Sequence, residues 1–156
     1  MLSLTVVIPL YNKEAYVKNT LLSLAGQRKK PVEIIVVDDA STDSSLALVE
    51  QTFCELEAAF VTTRLKIIRL TENKGPGNAR NIGICEATSD LICFLDADDA
   101  YHPDFVETVT NYMSQKQIDL LVVGFQLQPS LALYPKIEKL QPYLSALTNE
   151  LFLLPN

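Results

Sequence analysis

The chain has a single histidine, His102, so a histidine-rich metal site is excluded. Its cysteines, Cys54, Cys85 and Cys93, are odd in number, and no two show C-x-x-C spacing. Free, buried thiols in a reducing compartment are therefore expected. No apolar run approaches the ~18 residues of a membrane span. No basic-then-apolar signal pattern stands before the first strand-like segment. A cytoplasmic location is expected, with any membrane association peripheral and at the inner face. Lys and Arg total 13 against 19 Asp and Glu, a net charge of −6. Nucleic acid is excluded as a partner, because its backbone is recognised by a basic face. A phosphorylated ligand would need a metal ion or a local Arg or Lys to offset repulsion. Internal repeats, low-complexity tracts and clear linkers are also missing.

What is present suits one α/β domain. The 156 residues are 48% apolar, enough for an ordinary core. Residues 4–9 (Leu-Thr-Val-Val-Ile-Pro) are β-branched and continuous, as in a strand buried on both faces, with Pro9 closing it. Residues 13–25 read as a helix with Val17, Leu21 and Leu24 on one face. Residues 32–37 form a second strand ending in Asp38-Asp39. Turn and cap residues 40–43 then lead into a helix over 44–57. Residues 65–70 form a third strand and 71–77 a Gly/Pro-rich loop, with Pro76 placed to open a helix. In that helix Ala79, Gly83 and Ala87 recur every four residues, a small-residue stripe that would let it lie close on the sheet. A fourth strand precedes Asp96, and Pro103-Asp104 start a helix to about Met113, with Phe105 and Val109 inward. Residues 119–125 form a fifth strand. This alternation calls for parallel strands. In residues 126–156, Ile137, Leu140, Leu144, Leu147 and Leu151 keep helical spacing, read as helices covering a sheet face.

Residues 91–99 (Leu-Ile-Cys-Phe-Leu-Asp-Ala-Asp-Asp) carry the strongest chemical signal. Five apolar residues end in three carboxylates, at the strand end where open α/β sheets bind ligands. Asp96 and Asp98 are two apart, so on an extended backbone they point to the same side. Paired hard oxygens suit Mg²⁺ or Mn²⁺ with positions left for phosphate oxygens. A lone Asp there would be a turn residue. The loops after the other strands open on the same sheet edge and bring Tyr11-Asn12, Asp38-Asp39 and the segment 73–80, with its glycines and Arg80. Together they describe a crevice for a polar, metal-bound, phosphorylated ligand with a ring to stack.

Residues 6–14 (VVIPLYNKE), 36–43 (VVDDASTD), 73–81 (NKG through ARN) and 94–99 (FLDADD) closely resemble family 2 glycosyltransferases of the GT-A fold. The likeness spans about residues 3–125. It implies a Rossmann-like, mostly parallel sheet flanked by helices, and a nucleotide-diphosphate-sugar donor, most often a UDP-sugar, bound with Mg²⁺ or Mn²⁺. By the family pattern Pro9, Tyr11 and Asp39 hold the base, with Asp39 accepting from a ring N–H. Asn73 and Arg80 complete the nucleotide pocket, and Asn12 and Glu14 match the motif beside it. Asp96 contacts the ribose or a water on the metal, and Asp98 ligates the metal. The resemblance further implies inverting transfer to a saccharide or lipid-linked acceptor, in polysaccharide biosynthesis, with an Asp or Glu general base.

The base and acceptor motifs of the family come after residue 125, and residues 126–156 hold no match. Glu138 and Glu150 are their only carboxylates, and both read as exposed helix residues. Either the tail replaces the missing half or the chain is an N-terminal fragment; the expectation is the fragment, with residues 1–125 as the nucleotide-sugar-binding domain and 126–156 as a helical tail beginning the acceptor half. Three alternatives are weighed against this. A non-catalytic nucleotide-sugar-binding module would keep the pocket without transfer. A signalling receiver domain would carry its Asp pair after the first strand and a Lys after the fifth, and this chain does neither. A nucleotidyltransferase would show a Gly-rich basic loop after the first strand, where this chain has Leu10–Glu14.

Overall fold

The computed structural model describes residues 2–116 and 119–121. All regular elements below lie in the first of the two units into which the chain divides, Met1–Ile118. The expected fifth strand beyond residue 121 and the helical tail lie outside the described residues, and 119–121 form neither helix nor strand.

Strands β1 (Leu4–Leu10), β2 (Glu33–Asp38), β3 (Arg64–Arg69) and β4 (Leu91–Phe94) form a parallel sheet in the order β3-β2-β1-β4. Every residue of β1 and β2 is buried. Their continuous apolar runs thus report central strands covered on both faces. β3, with charged Arg64, Lys66 and Arg69, is the partly exposed edge that a charged strand suits.

Pro9 does not close β1 as expected; the strand continues through Leu10, with Pro9 opposite Val37. Val7 O accepts from Leu95 N–H on the β4 side, whereas Leu10 O accepts from Asp39 N–H on the β2 side. Alternation along the strand therefore turns the position of the missing Pro9 N–H toward β4. There the ladder has already ended, at Val7↔Phe94. The proline is tolerated because no bond is due at that point.

Helices α1 (Val17–Ala25), α2 (Ser45–Glu55), α3 (Pro76–Glu86) and α4 (Phe105–Gln115) follow the strands. Val17, Leu21 and Leu24 are fully buried, as their spacing predicts. The first helix begins four residues later than expected: residues 14–16 form a turn, with the Tyr16 and Val17 amides both on Lys13 O, and the free amides of Lys13 and Glu14 before it are satisfied by Ser45 Oγ and Asp43 Oδ2 of the neighbouring loop. Val109 faces inward as expected. Phe105 instead stays half-buried and stacks on Tyr101, ring centroids 3.7 Å apart.

α3 lies against β1 and β2, and Ala79 joins Val7, Ile35 and Val37 in one buried cluster. A Cβ on Gly83 would come within 2.2 Å of Val7 Cγ1, so only glycine admits the helix at this depth. The small-residue stripe performs the close packing its spacing implies. The thiols are free, but Cys54 and Cys85 are exposed and only Cys93 is partly covered. Cys85 is two residues from the buried Gly83, which turns it to the outer face of α3. Partial burial raises the Cys93 pKa to about 11.

Candidate active site

Strand order reverses direction at β1: β2 and β3 lie to one side and β4 to the other. Parallel α/β sheets open a crevice outside the carboxyl ends of their strands at this point. A cleft of about 320 Å³ lies there. Its wall includes Pro9, Tyr11, Asp39, Asn73, Arg80, Asp96 and Asp98, seven of the nine residues singled out above.

The floor is held by Asp39, 2% exposed. Its Oδ1 accepts from Lys74 N–H at 2.9 Å and its Oδ2 from Gly75 N–H at 2.7 Å. The carboxylate so fixes the loop that opens α3. Gly75 has φ +86°, a left-handed value that glycine adopts without a Cβ penalty. Pro76 then supplies the first helical residue, as the sequence predicts. Each carboxylate oxygen keeps a second lone pair for a ligand donor. Its neighbour Asp38 points away from the cleft. It is fully buried, and its Oδ1 accepts from Ser41 N–H at 3.1 Å, shaping the turn after β2.

Asn12 and Glu14 do not line the cleft. Asn12 N–H donates to Ser41 Oγ, and Asn12 Oδ1 accepts from Thr42 N–H at 2.9 Å. Glu14 Oε2 accepts from Ser44 N–H at 2.9 Å, satisfying a free amide at the start of α2. Asp43 Oδ2 accepts from Glu14 N–H in return. These two motif residues clamp the β1–α1 loop to the β2–α2 loop and hold Tyr11, 42% exposed, at the mouth.

The acidic segment departs from the extended form expected. β4 ends at Phe94, and Asp99 N–H donates to Asp96 O, closing a turn through Ala97-Asp98. The two carboxylates still share a side, because Leu95 and Ala97, the residues just before each of them, are buried as anchors. Thr20 Oγ1, from α1, donates to Ala97 O at 2.9 Å, and Tyr101 Oη donates to Phe94 O at 2.7 Å. Burial, with the Asp98 and Asp96 charges nearby, raises the pKa of Asp99, which lies outside the cleft wall.

One charged cleft residue escaped the sequence reading. Lys13 lines the wall, and its Nζ donates to Asp98 Oδ2 at 2.6 Å. The hydrogen bond to Asp98 raises the lysine pKa above its ordinary 10.5. Its place inside the Tyr-Asn-Lys-Glu motif was the available signal. Arg80 Nη2 makes the matching bond to Asp96 Oδ1 at 2.5 Å. Three carboxylates (Asp39, Asp96, Asp98) thus face two cations (Lys13, Arg80), so the lining is net negative. A diphosphate entering here would be repelled without a further cation. Among the described residues no three His, Cys, Asp or Glu side chains cluster as a closed metal cage. Two carboxylates opening on a cleft instead fit Mg²⁺ or Mn²⁺ held jointly by protein and substrate phosphates.

Solved structures similar to this one include glycosyltransferases of the GT-A type. Staphylococcus aureus TarS (residues 1–349), in complex with UDP, superposes with TM-score 0.64 at 32% identity, covering 72% of this chain and 32% of that one. The mannosyltransferase PcManGT from Pyrobaculum calidifontis, in complex with GDP-Man and Mn²⁺, gives TM-score 0.64 at 26% identity, with 72% and 32% covered. By sequence, TarS, a poly(ribitol-phosphate) beta-N-acetylglucosaminyltransferase, is 32% identical over 126 residues, 79% of this chain and 21% of the relative. An uncharacterized glycosyltransferase of Haemophilus influenzae is 34% identical over 115 residues, 74% of this chain and 44% of that protein. The chain spans less than half the length of these relatives. Residues 5–132 match the profile described as glycosyl transferase family 2, and the chain belongs to that family.

Proposed function

We propose that the chain is the donor-binding part of an inverting glycosyltransferase that moves a sugar from a nucleotide diphosphate, a UDP-sugar by preference, onto a saccharide or lipid-linked acceptor. The observation that carries this reading is the convergence of Pro9, Tyr11, Asp39, Asn73, Arg80, Asp96 and Asp98 on one cleft at the sheet's switch point. The binding of UDP by TarS and of GDP-Man with Mn²⁺ by PcManGT supports the donor class.

In this reading Tyr11 and Pro9 present flat apolar surface to the base, and Asp39 accepts from a ring N–H. Asp39 arrives oriented, because Lys74 and Gly75 already hold both its oxygens. Asn73 and Arg80 close the nucleotide side, and Asp96 serves the ribose. Asp98, with Asp96 beside it, would hold Mg²⁺ or Mn²⁺, which stabilises the charge that grows on the leaving diphosphate. Lys13 and Arg80 add fixed positive charge at the same wall. The acceptor and the general base belong to the whole protein.

Thermal unfolding of the chain with UDP, GDP and dTDP, with and without Mn²⁺, tests this. UDP with Mn²⁺ at about 100 times its dissociation constant stabilises by about 2.7 kcal/mol. At this chain length that is a rise of roughly 5–10 °C. A melting temperature indifferent to every nucleotide would refute the reading. Sugar transfer by the full-length gene product separates a transferase from a binding module that has lost transfer.

A further inference from the structure

Lys13 occupies an unusual position for a cation near a metal-binding carboxylate. Its ammonium sits 2.6 Å from Asp98 Oδ2, across 85 residues of sequence, and both side chains line the cleft. The pair is half-open to water, with side-chain exposures of 36% and 40%, so it can be exchanged rather than being sealed into the fold. The Lys13 backbone is fixed independently: its N–H donates to Ser45 Oγ, and its carbonyl accepts from Tyr16 and Val17. The side chain can therefore leave Asp98 without unmaking the loop. Its stem passes the Tyr16 ring, with Nζ 5.8 Å from the centroid.

A divalent cation on Asp98 would meet the like charge of an ammonium held 2.6 Å from the same carboxylate, so each weakens the other's hold. We propose that Lys13 is an internal counter-ion that competes with the divalent metal for Asp98, making metal binding depend on the donor's diphosphate. Without nucleotide, Lys13 neutralises Asp98 and weakens its hold on a cation. A diphosphate in the cleft offers the ammonium other oxygens, and Asp98 is released to the metal. Lys13 then acts as a positioning residue that couples the two ligands. Linkage makes the coupling reciprocal: metal must tighten nucleotide binding by the same factor. The inference rests on the donor-binding reading above.

The test measures Mn²⁺ binding to the 156-residue chain, from the paramagnetic resonance signal of free Mn²⁺, with and without UDP. Lys13→Met should bind Mn²⁺ alone about fivefold more tightly than wild type, the equilibrium weight of a half-exposed ion pair. Its enhancement by UDP should shrink by a similar factor. Lys13→Arg, which can rebuild the pair, should behave as wild type. Combining Lys13→Met with Asp98→Asn should erase the gain. Lys13→Gln serves if the methionine variant does not give a folded circular dichroism spectrum. Unchanged or weaker Mn²⁺ binding by the neutral variants overturns the role of Lys13. Wild-type protein that binds no Mn²⁺ even with UDP overturns the metal reading itself, so the two failures are distinguishable.

Discussion

Replacing Gly83 by alanine probes the contact that sets the depth of α3 on the sheet. The added Cβ would lie 2.2 Å from Val7 Cγ1, 3.0 Å from Cγ2 and 3.2 Å from Cβ. Val7 is fully buried and β-branched, so its side chain has little freedom to rotate away. Helix and strand must separate instead. Overpacking of this kind costs about 1–3 kcal/mol, of which the better helix propensity of alanine offsets up to about 1 kcal/mol. Val7→Ala removes both clashing methyls and costs about 2–3 kcal/mol by lost burial and the cavity left behind. In the double variant the new Cβ enters the space vacated by the Val7 methyls. Its destabilisation should therefore fall about 1–2 kcal/mol short of the sum of the single variants. Urea unfolding followed by circular dichroism measures all three. The effect should also reach the cleft, because the same helix carries Arg80 one turn earlier. Gly83→Ala is expected to weaken UDP binding, and adding Val7→Ala to restore part of it. A stable Gly83→Ala protein, or strictly additive costs, would refute the claim that this glycine sets the helix position.

Asp39→Ala should weaken UDP binding with or without metal, and it also strips the amides of Lys74 and Gly75 of their acceptor, at about 2 kcal/mol. Unchanged nucleotide affinity in calorimetry would remove Asp39 from the base pocket. Asp98→Asn should abolish the Mn²⁺-dependent part of the UDP-induced rise in melting temperature and leave the metal-independent part. A wild-type response would show that the metal is held elsewhere. Glu33 gives a pH prediction. Desolvation pushes its pKa up, but hydrogen bonds from Arg64, Thr5 and the Thr88 amide outweigh this and hold it below its ordinary 4.5. The unfolded chain then binds the proton more readily, so the pair's stabilisation is present above pH 4.5 and lost as pH falls through the folded-state value. Urea titrations between pH 3 and pH 7 should show that slope, and Glu33→Gln should flatten it.

Local pattern carried much of the architecture. The β-branched run at the first strand announced burial on both faces, and Ala79 and Gly83 announced a closely seated helix. The loops after β1, β2 and β4 could be placed on one edge because parallel strands leave no other arrangement. Residue roles inside those loops were less legible. Asn12 and Glu14 share a motif with Tyr11, yet their side chains clamp two loops together while Tyr11 faces the cleft. Asp38 and Asp39 are adjacent and chemically identical. One is buried against the turn after β2 and the other presents the floor of the site.

Hydrophobic periodicity and turn chemistry act within a few residues, so the chain order alone determined the four strands of the sheet, the helices that follow them, the parallel pairing and the edge that bears the site. Pairings such as Lys13 with Asp98 and Arg80 with Asp96 join side chains 85 and 16 residues apart. They were settled only when the folded sheet brought β1, α3 and the turn after β4 around one cleft. Charge compensation is a property of distance in space, and no spacing along the chain encodes it.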